Sequence, residues 1–365
     1  MTAQLLAIGT ATPPAQLFQP ATRDFFAAQP GLSRLAQRLI GAAFDQSAID
    51  TRHSVIGSVA DGSALFLDQE GRLRSPTTGE RNAVYRREAP ALSLAAASEA
   101  LERAGLDASE ITHVVTASCT GFFAPGPDFL LVRQLGIPAS AERYHIGFMG
   151  CAAAFPALRA ATRICDAQPG SNVLVVCTEL CSLHIRSSED PEQIVASAVF
   201  GDGAGAAVVS SSGAAGGAAR LTIGAFSTAI TAEGEEDMDW TIGDAGFEMR
   251  LTAQVPRIIG REIAGVVDSL VAGDPLQEVD AWAVHPGGKS VLDRAQEGIG
   301  LPDAALAHSR EVLRTVGNMS SATILFILQR MLDDDTLPDG ARIAGLCFGP
   351  GLTVETAMFE LERSA

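Results

Sequence analysis

The chain has 365 residues, 47% of them hydrophobic and 19% charged, with a formal net charge of −17. That profile fits a compact soluble α/β protein and excludes a disordered chain. The acidic balance argues against a nucleic-acid surface, which needs clustered Lys and Arg, and means that an anionic substrate must be met by a locally basic mouth. No basic stretch precedes Pro13-Pro14, so no signal peptide is expected, and no apolar run reaches membrane-spanning length. Cys119, Cys151, Cys165, Cys177, Cys181 and Cys347 lie in apolar surroundings without framework spacing. Cys177 and Cys181 have no second pair and no nearby His pair, which argues against zinc; a reduced, cytoplasmic setting is the simpler account.

Residues 4–8 read as a first strand closed by Gly9-Thr10-Ala11-Thr12-Pro13-Pro14. Residues 21–48 read as two helical pieces, and 57–88 as a polar, turn-rich surface excursion ending in Arg86-Arg87-Glu88. An amphipathic helix over 89–104 stops at Gly105. An apolar, β-branched strand over 111–117 runs into Ser118-Cys119-Thr120-Gly121, then a helix from about 127 to 135 and Gly136. Residues 144–149 read as a short strand and tight turn that deliver Gly150-Cys151. The alanine-rich run over 152–165 has strong helix propensity, and Pro156 falls in its first turn or two, where a missing N–H costs little. Cys151 therefore sits at or just before a helix N-terminus, where free N–H groups and the helix dipole favour thiolate. A lone cysteine is more often a buried structural residue; what argues otherwise is the company this one keeps.

After Pro169-Gly170 comes a strand over 172–177, then Glu179. Gly201-Asp-Gly-Ala-Gly205 lacks the Lys-Ser/Thr of a nucleotide loop and reads as a tight hairpin or strand turn. Residues 233–239 read as a solvated acidic loop. The second half then repeats the first. A strand over 279–284 runs into His285-Pro286-Gly287-Gly288, followed by a helix from about 290 to 298 and Gly300-Leu301. Gly317-Asn318-Met319-Ser320-Ser321 opens a helix over 322–332, and Pro338-Asp339-Gly340 leads into a strand over 341–347. Two similar halves imply a pseudo-twofold axis and a layered α/β sandwich with buried strands. The helices at 152 and 322 would lie between the sheets, with Cys151 and Asn318 at equivalent positions. His285 stands at the carboxyl end of a strand, where α/β folds place ligands. His53, His113, His145 and His308 have no partner pattern and read as surface or satisfied histidines.

Gly150-Cys151, His285-Pro-Gly-Gly288, Gly317-Asn-Met-Ser-Ser321 and Phe348-Gly-Pro-Gly-Leu-Thr-Val-Glu-Thr356 resemble the signatures of type III polyketide synthases, the chalcone synthase-like enzymes of the thiolase superfamily. Val176-Cys-Thr-Glu179 and Phe200-Gly-Asp-Gly203 fit the same pattern, and the likeness spans essentially the whole chain. The resemblance implies a thiolase-like α-β-α-β-α sandwich with an N-terminal half over 1–212 and a C-terminal half over 221–365. It also implies that Cys151 takes an acyl starter from coenzyme A as a thioester, its thiolate held by a protonated His285. His285 and Asn318 would donate hydrogen bonds to the malonyl-CoA thioester oxygen as carbon dioxide leaves, and the resulting carbanion would attack the Cys151 thioester. Coenzyme A thioesters enter as substrates; no metal or other cofactor is expected, because the leaving carboxylate supplies the electrons.

By the same resemblance Phe200 matches an aromatic gate, for which a plain core residue is the equal alternative, and Met249 replaces the aromatic usual at a second gate position. Trp240 stands where glycine is common, with core filler as its alternative reading; Cys181 and His184 stand where threonine is usual. Ser320 belongs to the chamber lining, and Gly349 and Pro350 shape its floor. Ala124 replaces a methionine that family members push across the dimer interface. Trp240 and His184 would shrink the chamber; Met249 and Ala124 would open it. Of the basic residues that grip coenzyme A near 35–42, Arg38 matches while Leu35 and Ala42 do not, which leaves open weaker binding, other arginines such as Arg52, or a carrier-protein donor. A homodimer with residues near 121–130 at its interface is expected. Two other readings stay beside the synthase: a priming ketoacyl carrier-protein synthase making one condensation, and a non-catalytic thiolase-fold partner of an acyl carrier.

Overall fold

The computed structural model describes residues 3–59, 62–212, 219–271 and 278–363. In chain order these form β1 (Gln4–Ala11), β2 (Ala15–Phe18), α1 (Gln19–Ala27), α2 (Arg34–Asp45), β3 (Thr51–Ser54), α3 (Thr78–Ala104), β4 (His113–Ser118), α4 (Pro127–Leu135), β5 (Glu142–Gly147), α5 (Ala154–Ala167), β6 (Asn172–Leu180), α6 (Pro191–Val199) and β7 (Asp202–Ser210). There follow β8 (Arg220–Ile230), β9 (Met238–Gly243), β10 (Gly246–Leu251), α7 (Val255–Val271), β11 (Ala281–Val284), α8 (Lys289–Ile299), α9 (Ala307–Val316), α10 (Thr323–Leu332), β12 (Arg342–Gly349) and β13 (Thr353–Glu362).

Among the described residues nine strands form one sheet in the order β11-β12-β13-β8-β1-β7-β6-β4-β5. It is two half-sheets joined where Gln4 and Leu5 of β1 pair with Thr222 and Leu221 of β8. In the first half β5, β4 and β6 are parallel, and β7 and β1 are antiparallel additions. The second half repeats this, with β11 parallel to β12 and β13 and β8 antiparallel. Among the described residues β5 has no counterpart; α9 occupies the corresponding stretch of chain.

Strands β4, β6, β7, β11 and β12 are buried on both faces, and alternation along them assigns each side chain to a layer. Val115, Val173, Val175, Cys177, Ala207 and Val209 face the central core with α5 and α10. Val114, Leu174, Val176, Ala204, Ala206 and Val208 face outward to α3. In the second half Trp282, Val284, Ala344 and Leu346 pack under α7 and α8. Helix α5 packs on β4, β6 and β7 of one half and on β8 and β13 of the other, which makes it the middle layer of an α-β-α-β-α sandwich. Its alanines let the two half-sheets approach, and Phe155 and Leu158 fill the remaining gap, each contributing about 1.5–3 kcal/mol by burial.

Three local expectations need correction. The surface excursion over 57–88 ends early, because α3 begins at Thr78. The signal is Thr77-x-x-Glu80: the Thr77 hydroxyl accepts from the Glu80 N–H while the Glu80 carboxylate accepts from the Thr77 N–H. Arg86-Arg87-Glu88 are therefore helical, and Gly105, at φ 66°, ends the helix as expected. Second, Asp202–Ser210 is a strand, so Gly203 and Gly205 lie in its body and not in a turn. A Cβ on Gly203 would stand 2.3 Å from Met319 Sδ, and one on Gly205 2.8 Å from Leu325 Cβ. The glycines let the turn before α10 and the helix itself lie flat on β7. Third, the acidic stretch 233–239 gives way at Met238 to the separate hairpin β9–β10, which covers the site described next.

Candidate active site

Two equivalent turns open the central helices. In the first, Gly150, at φ 56°, lies against the Pro350 ring, and Gly150–Ala152 makes one 3-10 turn before α5. In the second, Gly317, at φ 73°, precedes Asn318, and Ser320–Ala322 makes the matching turn before α10. Each starts its helix on an irregular φ that few residues accept. Together they bring Cys151 and Asn318 face to face across the pseudo-twofold, with Cys151 Sγ 3.9 Å from both Asn318 Oδ1 and Nδ2. Asn318 Oδ1 accepts from the Ser320 N–H at 2.8 Å, which fixes the amide and leaves its NH2 group aimed at the sulfur side.

His285 follows β11, and its backbone N–H extends the ladder to Leu346 O at 2.8 Å. Its side chain is 0% exposed, yet neither ring nitrogen has a hydrogen-bond partner. A buried, unsatisfied imidazole costs free energy and calls for an explanation. The explanation is a cavity lined by Cys151, His285 and Asn318 together with Phe200, Trp240 and Met249. Cys181, Ser320 and Pro350 line it too. His184 lines a smaller adjoining cavity that shares Cys181, Phe200, Trp240 and Met249.

The remaining expectations divide. Gly349 does not line the cavity. It packs beside the Cys151 turn, where a Cβ would meet Ala152 Cβ and Met149 O at 2.9 Å. Ala124 is exposed in the loop before α4, and Arg38 is exposed on α2; neither lines the cavity of this chain. Arg52 does not serve as a surface grip for an anionic substrate. It is buried, with Nη1 donating to Ser197 O and Phe200 O. His184 is a fixed wall: Nε2 donates to Thr120 O at 2.7 Å and Nδ1 accepts from the Phe247 N–H at 3.0 Å. The ring stacks on Phe247 at 4.2 Å, and burial pushes its pKa down to about 3, so it stays neutral. Trp240 is no plain core filler: its Nε1 donates to Cys119 O at 2.6 Å, tying the hairpin of the second half to the first.

Burial pushes the Cys151 thiol up to about 11, opposed by the side chains of Ser320 and Asn318, and pushes His285 down to about 3. Burial in this site thus works against the expected thiolate–imidazolium pair. Glu179 carried no assigned role in the sequence reading. It is fully buried on β6, accepting from Cys119 N at 3.0 Å, Thr120 Oγ1 at 2.8 Å and Ser321 Oγ at 2.5 Å. One carboxyl group thus holds both polar turns, one from each half. Its signal was a carboxylate at the end of the apolar strand Asn172–Leu180, since a buried carboxyl must be satisfied by hydrogen bonds.

The family model for chalcone and stilbene synthases, N-terminal domain, matches residues 1–213, and the model for the C-terminal domain matches 224–361. The chain belongs to the chalcone and stilbene synthase family. Within that family it is 30% identical over 332 residues to "Alpha-pyrone synthesis polyketide synthase-like Pks18" of Mycobacterium tuberculosis, covering 89% of this chain and 82% of that one. It is 30% identical over 365 residues to "3,5-dihydroxyphenylacetyl-CoA synthase" of Streptomyces toyocaensis, covering 98% and 90%. It also matches "Probable polyketide synthase 1" of Dictyostelium discoideum at 30% identity, spanning only 11% of that protein's length. Among solved structures, the C-terminal type III polyketide synthase domain of Steely1 from Dictyostelium superposes with a TM-score of 0.91 at 27% identity, covering 100% of both chains. The 1,3,6,8-tetrahydroxynaphthalene synthase of Streptomyces coelicolor gives 0.88 at 28% identity, covering 99% and 100%. The fold of the family is thus the one built here by two halves and two facing turns.

Proposed function

We propose that this family member works as a type III polyketide synthase, extending an acyl starter on Cys151 with malonyl-CoA. The observation that carries the reading is the imidazole of His285, fully buried and unbonded, in the cavity that also holds the Cys151 thiol and the Asn318 amide. A substrate oxygen is the partner such a ring lacks.

In the loading step the Cys151 sulfur attacks the starter thioester carbonyl as its proton passes to His285. The carbon–sulfur bond to coenzyme A breaks, and the coenzyme leaves with that proton as free thiol. Malonyl-CoA then places its thioester oxygen before His285 and Asn318 as hydrogen-bond donors. The bond to the carboxylate breaks, carbon dioxide departs, and its electron pair becomes an enolate whose oxygen the two donors stabilise. Removing one such donor costs roughly 100- to 1000-fold in rate. The enolate carbon attacks the Cys151 thioester, the new carbon–carbon bond forms, and the sulfur is released. Further rounds reload the lengthened chain on Cys151, and a cyclised product of the pyrone, resorcinol or phloroglucinol type leaves.

The chain also works as a homodimer in this reading. Strand β5 is an open, exposed sheet edge; Tyr144 on it and Phe148 just after it are exposed, and the exposed Phe122 ring lies against Phe148. Unpaired strand edges with apolar neighbours pair readily with a second copy. Mass spectrometry of products from malonyl-CoA with short, aromatic and long acyl-CoA starters tests the function. Chain-extended products that vanish in Cys151→Ala are expected. A single added ketide unit with strict carrier-protein dependence would point to a priming ketoacyl synthase instead.

A further inference from the structure

Arg52 lies on β3 with 1% of its surface exposed and no carboxylate in hydrogen-bond contact. Its Nη1 donates to Ser197 O at 2.8 Å and to Phe200 O at 2.6 Å, and Nε donates to Gln19 Oε1 at 3.1 Å. Gln19 in turn donates to Ala198 O at 2.7 Å. Together the two side chains take up the carbonyls at the C-terminal end of α6, where a cation also suits the helix dipole. Burial lowers the Arg52 pKa to about 10, so the guanidinium keeps its charge at neutral pH.

What lies against that cation is the backbone of the site itself. Phe200 and Asn318 form an isolated parallel bridge: the Asn318 N–H donates to Val199 O and the Gly201 N–H donates to Asn318 O, each at 2.9 Å. The residue before Asn318 is Gly317, with φ 73° and ψ −157°. A Cβ there would stand 2.7 Å from Arg52 Cγ and 2.9 Å from Arg52 Cδ. The Arg52 stem thus fills the place of a side chain at 317, and its head holds the strand that Asn318 pairs with.

We propose that Arg52 is a positioning residue for the condensation: by fixing the Phe200–Asn318 bridge it sets the aim of the Asn318 amide into the cavity. Arg52 touches no substrate; it acts through Asn318 and, on the same bridge, through the Phe200 side chain. The assignment rests on the proposed role of Asn318 as a donor to the malonyl thioester oxygen.

The test measures malonyl-CoA decarboxylation in the full-length protein, with iodoacetamide alkylation of Cys151 as a check on the rest of the site. Arg52→Met keeps the length of the stem and removes the donors. A donor displaced by an ångström loses much of its effect, so decarboxylation kcat should fall about 10- to 100-fold in Arg52→Met. KM for malonyl-CoA and the alkylation rate should stay within about threefold, since neither needs that aim. Arg52→Lys should recover part of kcat, and the double variant Arg52→Met/Asn318→Ala should be no slower than Asn318→Ala alone. Where Arg52→Met does not fold, Gly317→Ala presses on the same contact from the other side and should lose decarboxylation at an unchanged alkylation rate, with Arg52→Lys intermediate between it and the native protein. Parallel loss of alkylation and decarboxylation, or losses that multiply in the double variant, would overturn the Arg52 assignment and leave the synthase reading standing. Undiminished decarboxylation in Asn318→Ala would instead remove the donor role of Asn318, and the Arg52 assignment with it.

Discussion

At the scale of single residues, the protonation state of Cys151 separates two accounts of the same triad. With the thiol at about 11 and the imidazole at about 3, a rise in pH through neutrality converts thiol to thiolate in proportion. Alkylation of Cys151 by iodoacetamide should therefore climb about tenfold per pH unit from 7 to 10. A plateau reaching down to about pH 6 would show an ion pair already formed. Trp240 makes a second test. Trp240→Gly removes its bond to Cys119 O and its edge contact with His184 at 5.6 Å, and opens the chamber. Product chains should gain at least one ketide unit, read by mass spectrometry; an unchanged product spectrum would show that this wall does not limit growth. The meeting of Cys151, His285 and Asn318 in one cavity was legible from sequence because chain patterning and signature residues agreed on it. The burial that opposes thiolate was not, because it is set by three distant segments, whereas helix-end position shows in the sequence. Arg52 was misread for a related reason: sequence shows a charge and not what encloses it.

At the scale of elements, the turns that present Cys151 and Asn318 depend on how closely neighbouring segments approach. Gly203→Val would force a branched side chain against Met319, the residue after Asn318. Overpacking of this kind costs about 1–3 kcal/mol, so a lowered thermal midpoint and slower decarboxylation should appear together. Wild-type values for both would mean that α10 can shift without disturbing the site. A control lies at the far end of the same half. Thr77→Ala breaks the cap of α3 and should cost about 1 kcal/mol in urea titration while leaving the pH profile of Cys151 alone. The two elements also show why reading them by sequence fell short. The cap Thr77-x-x-Glu80 sits inside a polar stretch whose weak amphipathic pattern conceals a helix start. The glycines of β7 mimic a turn, because a strand that needs small residues for close packing and a turn that needs them for φ look alike in one dimension.

At the scale of the whole molecule, the internal repeat was the strongest sequence signal, and both half-sheets and both central helices follow it. What it did not disclose is the asymmetry: among the described residues β5 has no counterpart in the second half, and it forms an exposed end of the sheet. If that edge pairs with a second copy, the native protein should sediment at twice the mass of its chain. Phe122→Glu combined with Phe148→Glu should reduce it to the monomer while far-ultraviolet circular dichroism stays the same. A native protein that sediments as a monomer would remove the dimer from the account. The central claim, that one sulfur carries the growing chain and two neighbouring donors make its carbanion, is reached most directly by intact-protein mass spectrometry after exposure to acyl-CoA starters, followed by a malonyl-CoA chase. The account predicts an acyl adduct confined to Cys151, absent in Cys151→Ala, and discharged with release of carbon dioxide when malonyl-CoA arrives. An adduct on another cysteine, or one on Cys151 that malonyl-CoA leaves untouched, would contradict it.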